Sequence, residues 1–404
     1  MKDETVMHPS ESIRCSKSAV LSGKRIVLGI TGSIAAVECL ELARELIRHG
    51  ADVHAVMTPE ALKIITHHSM EFATGNPVTT EIDGRVQHVA LLGDFPDRAH
   101  MLLIAPCTAN TISKIANGID DTPVTTMATT AMGSGARIMI APAMHSSMFL
   151  HPVIQKNVAS LRDLDVDFVG PRMEGKKAKL APTEEIVSNV IRRLGMGDLR
   201  GRRVLVIGGS SEEPIDDMRV ITNKGTGETA VQLAIASFER GADVELWMGR
   251  ALTRLPAHIP LRRFITVEDL MGMIPDVDHE VIIVPAALSD FAPVRAEGKI
   301  SSGKDMSLQL KHCPKVLEAL RGKGGFLIGF KAESGVGKDE LARRATERLR
   351  KARLDMIVAN DLEDVTPTET KVLIITKDGR SAEASGTKRG VAEAILDEVP
   401  RATR

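Results

Sequence analysis

Apolar residues along this chain gather into short runs of strand length, and each run is followed by a segment whose apolar positions recur every three or four residues. KRIVLGIT (24–31) is a β-branched run that ends at Gly32 and Ser33. IAAVECLELARELIRHG (34–50) then carries helical spacing and closes on a glycine, a helix C-cap signal. RRVLVIGGS (202–210) and TAVQLAIASFERG (229–241) repeat the pair, and both helices run into the same residues, in GADVHAVMT (50–58) and GADVELWMG (241–249). Each half has a further buried-strand run ending near proline, MLLIAPCTAN (101–110) and VIIVPAALSD (281–290). Strands alternating with helices imply parallel sheets covered on both faces. The repetition predicts an α/β chain of two doubly wound, Rossmann-like domains with mainly parallel sheets. The expected divisions are a flexible N-terminal segment (1–20), a first domain (21–195), a glycine-dense linker (196–201) and a second domain (202–404).

Composition narrows the function classes. With 43% hydrophobic and 26% charged residues over 404 positions, the chain reads as an ordinary soluble protein with room for two cores. A net charge of −1 gives no basic field for nucleic acid or an anionic membrane. The longest apolar runs are too short to span a bilayer, and the polar first twenty residues do not read as a secretory signal. Cys15, Cys39, Cys107 and Cys313 are widely spaced without a CxxC pair, which favours a reducing, cytoplasmic setting over a disulfide framework. The absence of Tyr and the single Trp disfavour base-stacking platforms.

In doubly wound sheets ligands bind beyond the carboxyl ends of the strands, where helix N-termini offer N–H groups to anions. That rule selects TGS (31–33), MTP (57–59), APCTAN (105–110) and APAMH (141–145) in the first half. In the second it selects GGSSEEP (208–214), PAALSDF (285–291) and GFKAE (329–333). Neither half has G-x-G-x-x-G, which argues against a nicotinamide dehydrogenase. The loops together imply two sites for phosphorylated ligands.

ITGSIAA (30–36), HVAL (88–91), APCTANTISKIANGI (105–119) and APAMHSSM (141–148) resemble the flavin-dependent cysteine decarboxylases. EPIDDMRVITNKGTG (213–227), AALSDF (286–291), KI (299–300), GFKAE (329–333) and VANDL (358–362) resemble phosphopantothenate–cysteine ligases. In this order the two halves are similar to the bifunctional coenzyme A biosynthetic proteins. The resemblance implies that 4′-phosphopantothenate is activated with CTP and Mg²⁺ as an acyl-cytidylate and joined to L-cysteine. FMN-dependent oxidation of the cysteine thiol to a thioaldehyde then labilises the carboxylate, and re-reduction gives 4′-phosphopantetheine. It also implies a homo-oligomer, with trimeric flavin domains building larger shells up to a dodecamer and ligase domains that dimerise.

Residue by residue, the resemblance implies an FMN site at Gly32, Ser33, Ile34, Thr58, Thr108, Asn110 and Met144; Ser33 suits an N-cap equally well. His88 matches the active-site histidine and would act as a base, although a histidine among apolar neighbours is often structural. In P-A-M-N-x-x-M the family's Asn amide binds the substrate carboxylate; here the position is His145, with Met148 closing the motif. A neutral imidazole can donate to a carboxylate, and a protonated one adds charge. Bacterial members carry A-C-G on a flap, whereas PRMEGKKAKLAP (171–182) has no cysteine. A lysine (Lys176, Lys177 or Lys179), a water or another acid must then supply its proton, or the reduction differs in detail, and a decayed, flavin-binding regulatory domain fused to a ligase is the competing reading. Cys107 reads as a small buried residue rather than a substitute.

In the ligase half, Gly208 and Gly209 permit close backbone approach at a strand end, Asn223 matches the catalytic asparagine, and Arg219 would grip a phosphate or carboxylate. Where relatives read S-S-G-K this chain reads GTGE (225–228), so Glu228 replaces a lysine and the burden shifts to Lys299. Ala286, Asp290, Lys299, Phe330, Arg348 and Lys351 complete the implied CTP site. Asp290 would meet Mg²⁺ or the nucleotide sugar and Phe330 the pyrimidine; Arg348 and Lys351 also fit a solvated helix face.

Overall fold

The computed structural model describes residues 7–301 and 305–402. The chain divides into two compact units, Met1–Gly195 and Met196–Arg404.

The first unit runs α1 (Pro9–Ser12), β1 (Arg25–Ile30), a 3₁₀ turn (Ile34–Glu38) leading into α2 (Cys39–Arg48), β2 (Asp52–Met57), α3 (Pro59–Leu62), α4 (His67–Thr74), α5 (Gln87–Leu92) and β3 (Met101–Cys107). It continues with α6 (Ala109–Ala116), α7 (Pro123–Ser134), β4 (Arg137–Pro142), β5 (Met144–His145), α8 (Ser146–Phe149), α9 (Pro152–Asp163), β6 (Asp167–Phe168), β7 (Arg172–Glu174), β8 (Lys177–Lys179) and α10 (Thr183–Leu194). Its main sheet is parallel in the order β2-β1-β3-β4-β6. Alternate residues of β1 serve opposite faces: Ile26, Leu28 and Ile30 pack with α2, α4 and α10, while Val27 packs with α6, α7 and α9. This is why the strand is apolar throughout instead of alternating. A separate small antiparallel sheet, β5-β8-β7, stands beyond the end of β4.

The expected flexible lead-in is, from residue 7 onward, folded against α2. Ser10 is buried, the Arg14 guanidinium donates to the Ala51 carbonyl at 2.8 Å, the Cys15 amide donates to Ile47, and Lys17 pairs with Glu45. Its polarity reflects these contacts with helix ends rather than solvation.

The second unit runs β9 (Arg203–Gly208), β10 (Glu212–Pro214), β11 (Val220–Thr222), α11 (Glu228–Glu239), β12 (Asp243–Met248), β13 (Leu261–Arg263), α12 (Val267–Met273), β14 (Val281–Val284), β15 (Phe291–Pro293) and β16 (Leu310–His312). Then follow α13 (Val316–Arg321), β17 (Phe326–Glu333), α14 (Lys338–Lys351), β18 (Met356–Asp361), β19 (Glu369–Thr376), β20 (Ser381–Thr387) and α15 (Lys388–Ala402). The sheet order is β13-β12-β9-β14-β17-β18-β19-β20, parallel up to β18, with β19 and β20 antiparallel. Val204 and Val206 face α11 and α15; Leu205 and Ile207 face α12, α13 and α14. Both sheets reverse direction of strand order beside their first strand, at β1/β3 and at β9/β14. A crevice outside the carboxyl ends follows in each.

Candidate active sites

In the first unit the loop after β1 is fastened to the loop after β3. The Thr31 hydroxyl donates to the Pro106 carbonyl at 2.7 Å and accepts the Thr108 amide at 3.0 Å. Gly32 is required by packing: a Cβ there would lie 2.5 Å from the Glu60 Cβ on α3. Ser33 precedes the 3₁₀ turn, but its hydroxyl makes no capping bond and stays free for a ligand. Thr58 is buried and caps α3 by accepting the Ala61 amide, and Thr108 caps α6 through Thr111. Their hydroxyls are thus committed as acceptors, and it is the adjoining helix N-termini that remain to meet an anion. Asn110 is exposed at the start of α6, and Ile34 is 78% exposed. His88, on α5, is half-buried and its Nδ1 is shut off from solvent without a partner. Cys107 is fully buried, and burial pushes its thiol far up, which removes it as an acid or nucleophile near neutrality.

His145 is the N-cap of α8. Its Nδ1 accepts the Ser147 amide at 3.2 Å and lies 2.7 Å from the Ser147 hydroxyl. A ring nitrogen that accepts an amide N–H carries no proton, so the proton sits on Nε2, which is left to donate outward. The flap pairs with this segment: Met144 lies opposite Ala178 and His145 opposite Lys177, and the Ser146 amide and hydroxyl both donate to the Lys176 carbonyl. Of the three candidate lysines, Lys179 is held by Glu174 at 2.8 Å, whereas Lys177 shares the face of His145. Met148 is half-exposed on α8.

In the second unit a cavity of about 1010 Å³ opens at the sheet's carboxyl edge, and Asn223, Ala286, Asp290, Phe330 and Arg348 all line it. Ser211 fastens the loops around it: its hydroxyl accepts the Ser289 amide at 3.0 Å and its carbonyl accepts the Thr222 hydroxyl at 2.7 Å. The Asn223 amide donates to the Ala287 carbonyl at 3.0 Å, which orients the rest of that group into the cavity mouth. Asp290 is bonded to Lys315 at 2.7 Å; that ammonium, opposed by partial desolvation and aided by Arg348 and Lys331, holds its carboxyl below the usual range. The carboxylate expected to meet Mg²⁺ or the nucleotide sugar is thus paired with Lys315. Among the described residues the single group of three convergent ligating side chains is His67, His68 and Glu71 on α4.

Four expected residues lie outside the cavity lining. Gly208 is needed because a Cβ would fall 2.1 Å from the Ala230 Cβ of α11; Gly209, with φ +75°, is the glycine that faces the cavity. Arg219 is not a free anion grip, since buried Asp216 takes its Nη1 at 2.5 Å and also accepts the Arg219 and Ile300 amides. Asp216 therefore draws Arg219 and exposed Lys299 together, apart from the cavity. Lys351 is solvated at the end of α14. Glu228 accepts from Gln232 at 2.7 Å and from Thr253, so it is occupied within its own neighbourhood. Sequence reasoning missed Lys315, Lys331 and Lys388, all of which line the cavity. Among the described residues no helix is long and apolar enough to cross a membrane.

Fold and site geometry define two doubly wound α/β domains, each with a crevice at the carboxyl ends of its parallel strands. The flavoprotein family model matches residues 14–195, and that of the DNA/pantothenate metabolism flavoprotein C-terminal domain matches 199–402. The coenzyme A biosynthesis bifunctional protein CoaBC of Thermococcus kodakarensis is 45% identical over 98% of this chain and 100% of its own length. The one from Methanocaldococcus jannaschii is 39% identical over 98% of each chain, and that of Bacillus subtilis 30% identical over 94% and 97%. A solved C-terminal domain of a CoaBC protein is 28% identical, covering 51% of this chain and 97% of its own with a TM-score of 0.42. The chain belongs to the bifunctional coenzyme A biosynthesis proteins, which combine a phosphopantothenoylcysteine decarboxylase with a phosphopantothenate–cysteine ligase.

Proposed function

We propose that the second unit joins 4′-phosphopantothenate to L-cysteine through a CTP-derived acyl-cytidylate with Mg²⁺, and that the first unit decarboxylates the product with FMN. The observation that carries this reading is the gathering of Asn223, Ala286, Asp290, Phe330 and Arg348, distant in sequence, on one cavity. Lys315, Lys331 and Arg348 give that cavity the cationic wall a triphosphate needs, and Phe330 offers a ring to stack a pyrimidine. Asp290 suits a Mg²⁺ that keeps most of its shell from water and phosphate, since such ions take only one or two carboxylates. Asn223, fixed by Ala287, presents its remaining amide atoms to the acyl carbonyl where negative charge develops.

In the first unit the uncapped Ser33 hydroxyl, the adjacent helix N-termini, the exposed Ile34 and the partnerless His88 Nδ1 fit a phosphorylated, flat, partly apolar cofactor such as FMN. Gly32, Thr58, Thr108, Asn110 and Met144 shape that cradle. FMN supplies reversible two-electron oxidation of the cysteine side chain, which makes the neighbouring carboxylate a good leaving group. His88 removes the thiol proton, His145 holds the carboxylate through Nε2–H, and Met148 packs beside it. Lys177, facing the same side as His145, returns a proton in place of the absent flap cysteine. The four free cysteines accord with a reducing cytoplasm, and the enzyme assembles as a homo-oligomer.

Purified protein given 4′-phosphopantothenate, cysteine, CTP and Mg²⁺ yields CMP, pyrophosphate, carbon dioxide and 4′-phosphopantetheine, and ATP in place of CTP yields less product. Accumulation of phosphopantothenoylcysteine as the final product in flavin-loaded protein would overturn the decarboxylase assignment.

A further inference from the structure

Neither proposed half-reaction uses His67, His68 and Glu71, which converge on α4 of the first unit. Residues three and four apart share one side of a helix, so Glu71 reaches back towards both histidines. The His68 Nδ1 lies 3.2 Å from the Glu71 Oε2, and the His67 and His68 rings are tilted against each other with centroids 3.9 Å apart. One ligating atom from each side chain falls within 4.8 Å of the other two. Two donor atoms that share an ion, each roughly 2.1 Å from it, stand about 3.0–3.4 Å apart. The His68–Glu71 pair already has that spacing.

No competing group claims these donors. Among the described residues no lysine or arginine pairs with Glu71, and no hydrogen bond engages the His67 ring. Lys63, the nearest cation in sequence, is taken by Glu60 at 2.7 Å. A solvent-facing histidine–glutamate pair contributes little by itself, and the His68 side chain is 78% exposed. The helix beneath is well anchored. Met70, Ala73 and Thr74 are buried, the Thr66 hydroxyl caps α4 by accepting the Ser69 amide at 3.2 Å, and the Ser69 hydroxyl donates to the Thr66 carbonyl at 2.7 Å. Donors mounted on such a turn are held closer to a common centre than donors on a loop. Two imidazoles and a carboxylate suit a borderline divalent ion such as Zn²⁺, Co²⁺ or Ni²⁺. Mg²⁺, the ion of the proposed ligation, takes oxygen ligands and does not compete.

We propose that His67, His68 and Glu71 bind one divalent transition-metal ion, Zn²⁺ being the best fit, with water in the remaining positions. The His67 ring turns inward to complete the set, and the ion clips the first two turns of α4. The positive end of the helix dipole works against a cation here, so the affinity is lower than that of a closed, four-ligand site. Calorimetry titrates Zn²⁺ into tag-free, metal-stripped full-length protein. Wild type takes up one equivalent with a Kd of about 1–10 μM, and His67→Gln, His68→Gln and Glu71→Gln each weaken that binding by roughly tenfold or more. The three side chains are exposed or half-buried, so the metal-free variants fold as wild type does. Cys15→Ser, which removes the exposed thiol, leaves the affinity unchanged. Bound Co²⁺ gives visible d–d absorption without a thiolate-to-metal charge-transfer band. With Zn²⁺ at about a hundredfold excess over the Kd, hydrogen exchange of the α4 amides slows in wild type and not in Glu71→Gln. Uptake no tighter than about millimolar, wild-type affinity in any one of the three glutamine variants, a thiolate charge-transfer band, or α4 exchange indifferent to Zn²⁺ would each overturn the proposal.

Discussion

His145 stands where the motif that APAMHSSM resembles reads asparagine, and the two side chains share a geometry that charge alone would hide. An asparagine at a helix N-cap accepts with its carbonyl oxygen and keeps its N–H groups for another partner. His145 caps α8 with Nδ1 and keeps Nε2–H in the same way. Protonating Nδ1 would remove the acceptor that caps α8. His145→Asn therefore retains decarboxylation of supplied phosphopantothenoylcysteine within a few-fold. His145→Ala loses both the cap, about 1 kcal/mol of local stability, and the donor, lowering kcat/KM by roughly ten- to a hundredfold. Carbon dioxide release at wild-type efficiency from the alanine variant would return the histidine to a purely structural role.

Elements pack here through contacts that sequence patterns register only in part. The long buried strands were legible because a strand covered on both faces must be apolar throughout, as β3 is. The small β5-β8-β7 sheet was not, since strands of two or three residues have no period to detect and exist only because the flap returns to Met144 and His145. Cavity loops were legible as strand ends followed by Gly, Ser or Asn. Lys315, Lys331 and Lys388 were not, because a lysine in HCPKVLEAL or GTKRG reads as solvated charge until the fold turns it inward. Of the two glycines read as allowing close approach, Gly209 lines the cavity and Gly208 serves packing. Gly208→Ala drives a methyl into Ala230 and destabilises the second unit by about 1–3 kcal/mol. Adding Ala230→Gly recovers part of that loss. Trp247, buried in β12 and the chain's single tryptophan, reports the urea midpoint of this unit by fluorescence, and an unshifted midpoint for the single variant would refute the account. In the first unit, α2 is tied to the N-terminal lead-in by Glu45, which is buried yet bonded to His49, Lys17 and Arg48. Desolvation raises its pKa, but these bonds outweigh it and bring the value from 4.5 down to about 2. A lowered folded value means the stabilisation is complete above pH 4.5 and is lost as pH falls towards 2, on the order of 3 kcal/mol in all. Hydrogen exchange of the α2 amides accelerates across that window in wild type. In Glu45→Gln it is already fast at neutral pH and changes little below.

At the scale of the whole molecule, each unit carries its own sheet, its own two-faced core and its own crevice. The proposed chemistry divides in the same way: the ligase product carries a phosphate, a carboxylate and a thiol, all soluble groups, so it can leave one site and enter another by diffusion. Asn223→Ala stops amide formation and spares carbon dioxide release from supplied phosphopantothenoylcysteine; His88→Ala does the reverse. Neither substitution touches the other unit's core, so both proteins fold. Mixing the two purified variants then restores conversion of 4′-phosphopantothenate and cysteine to 4′-phosphopantetheine, after a lag while the intermediate accumulates in solution, and the rate rises with the concentration of either partner. A mixture that makes phosphopantothenoylcysteine but no 4′-phosphopantetheine, while each variant keeps its remaining half-reaction, would show that the intermediate must pass within one assembly. In that case the fusion of the units, rather than their separate architecture, would be what the overall reaction depends on.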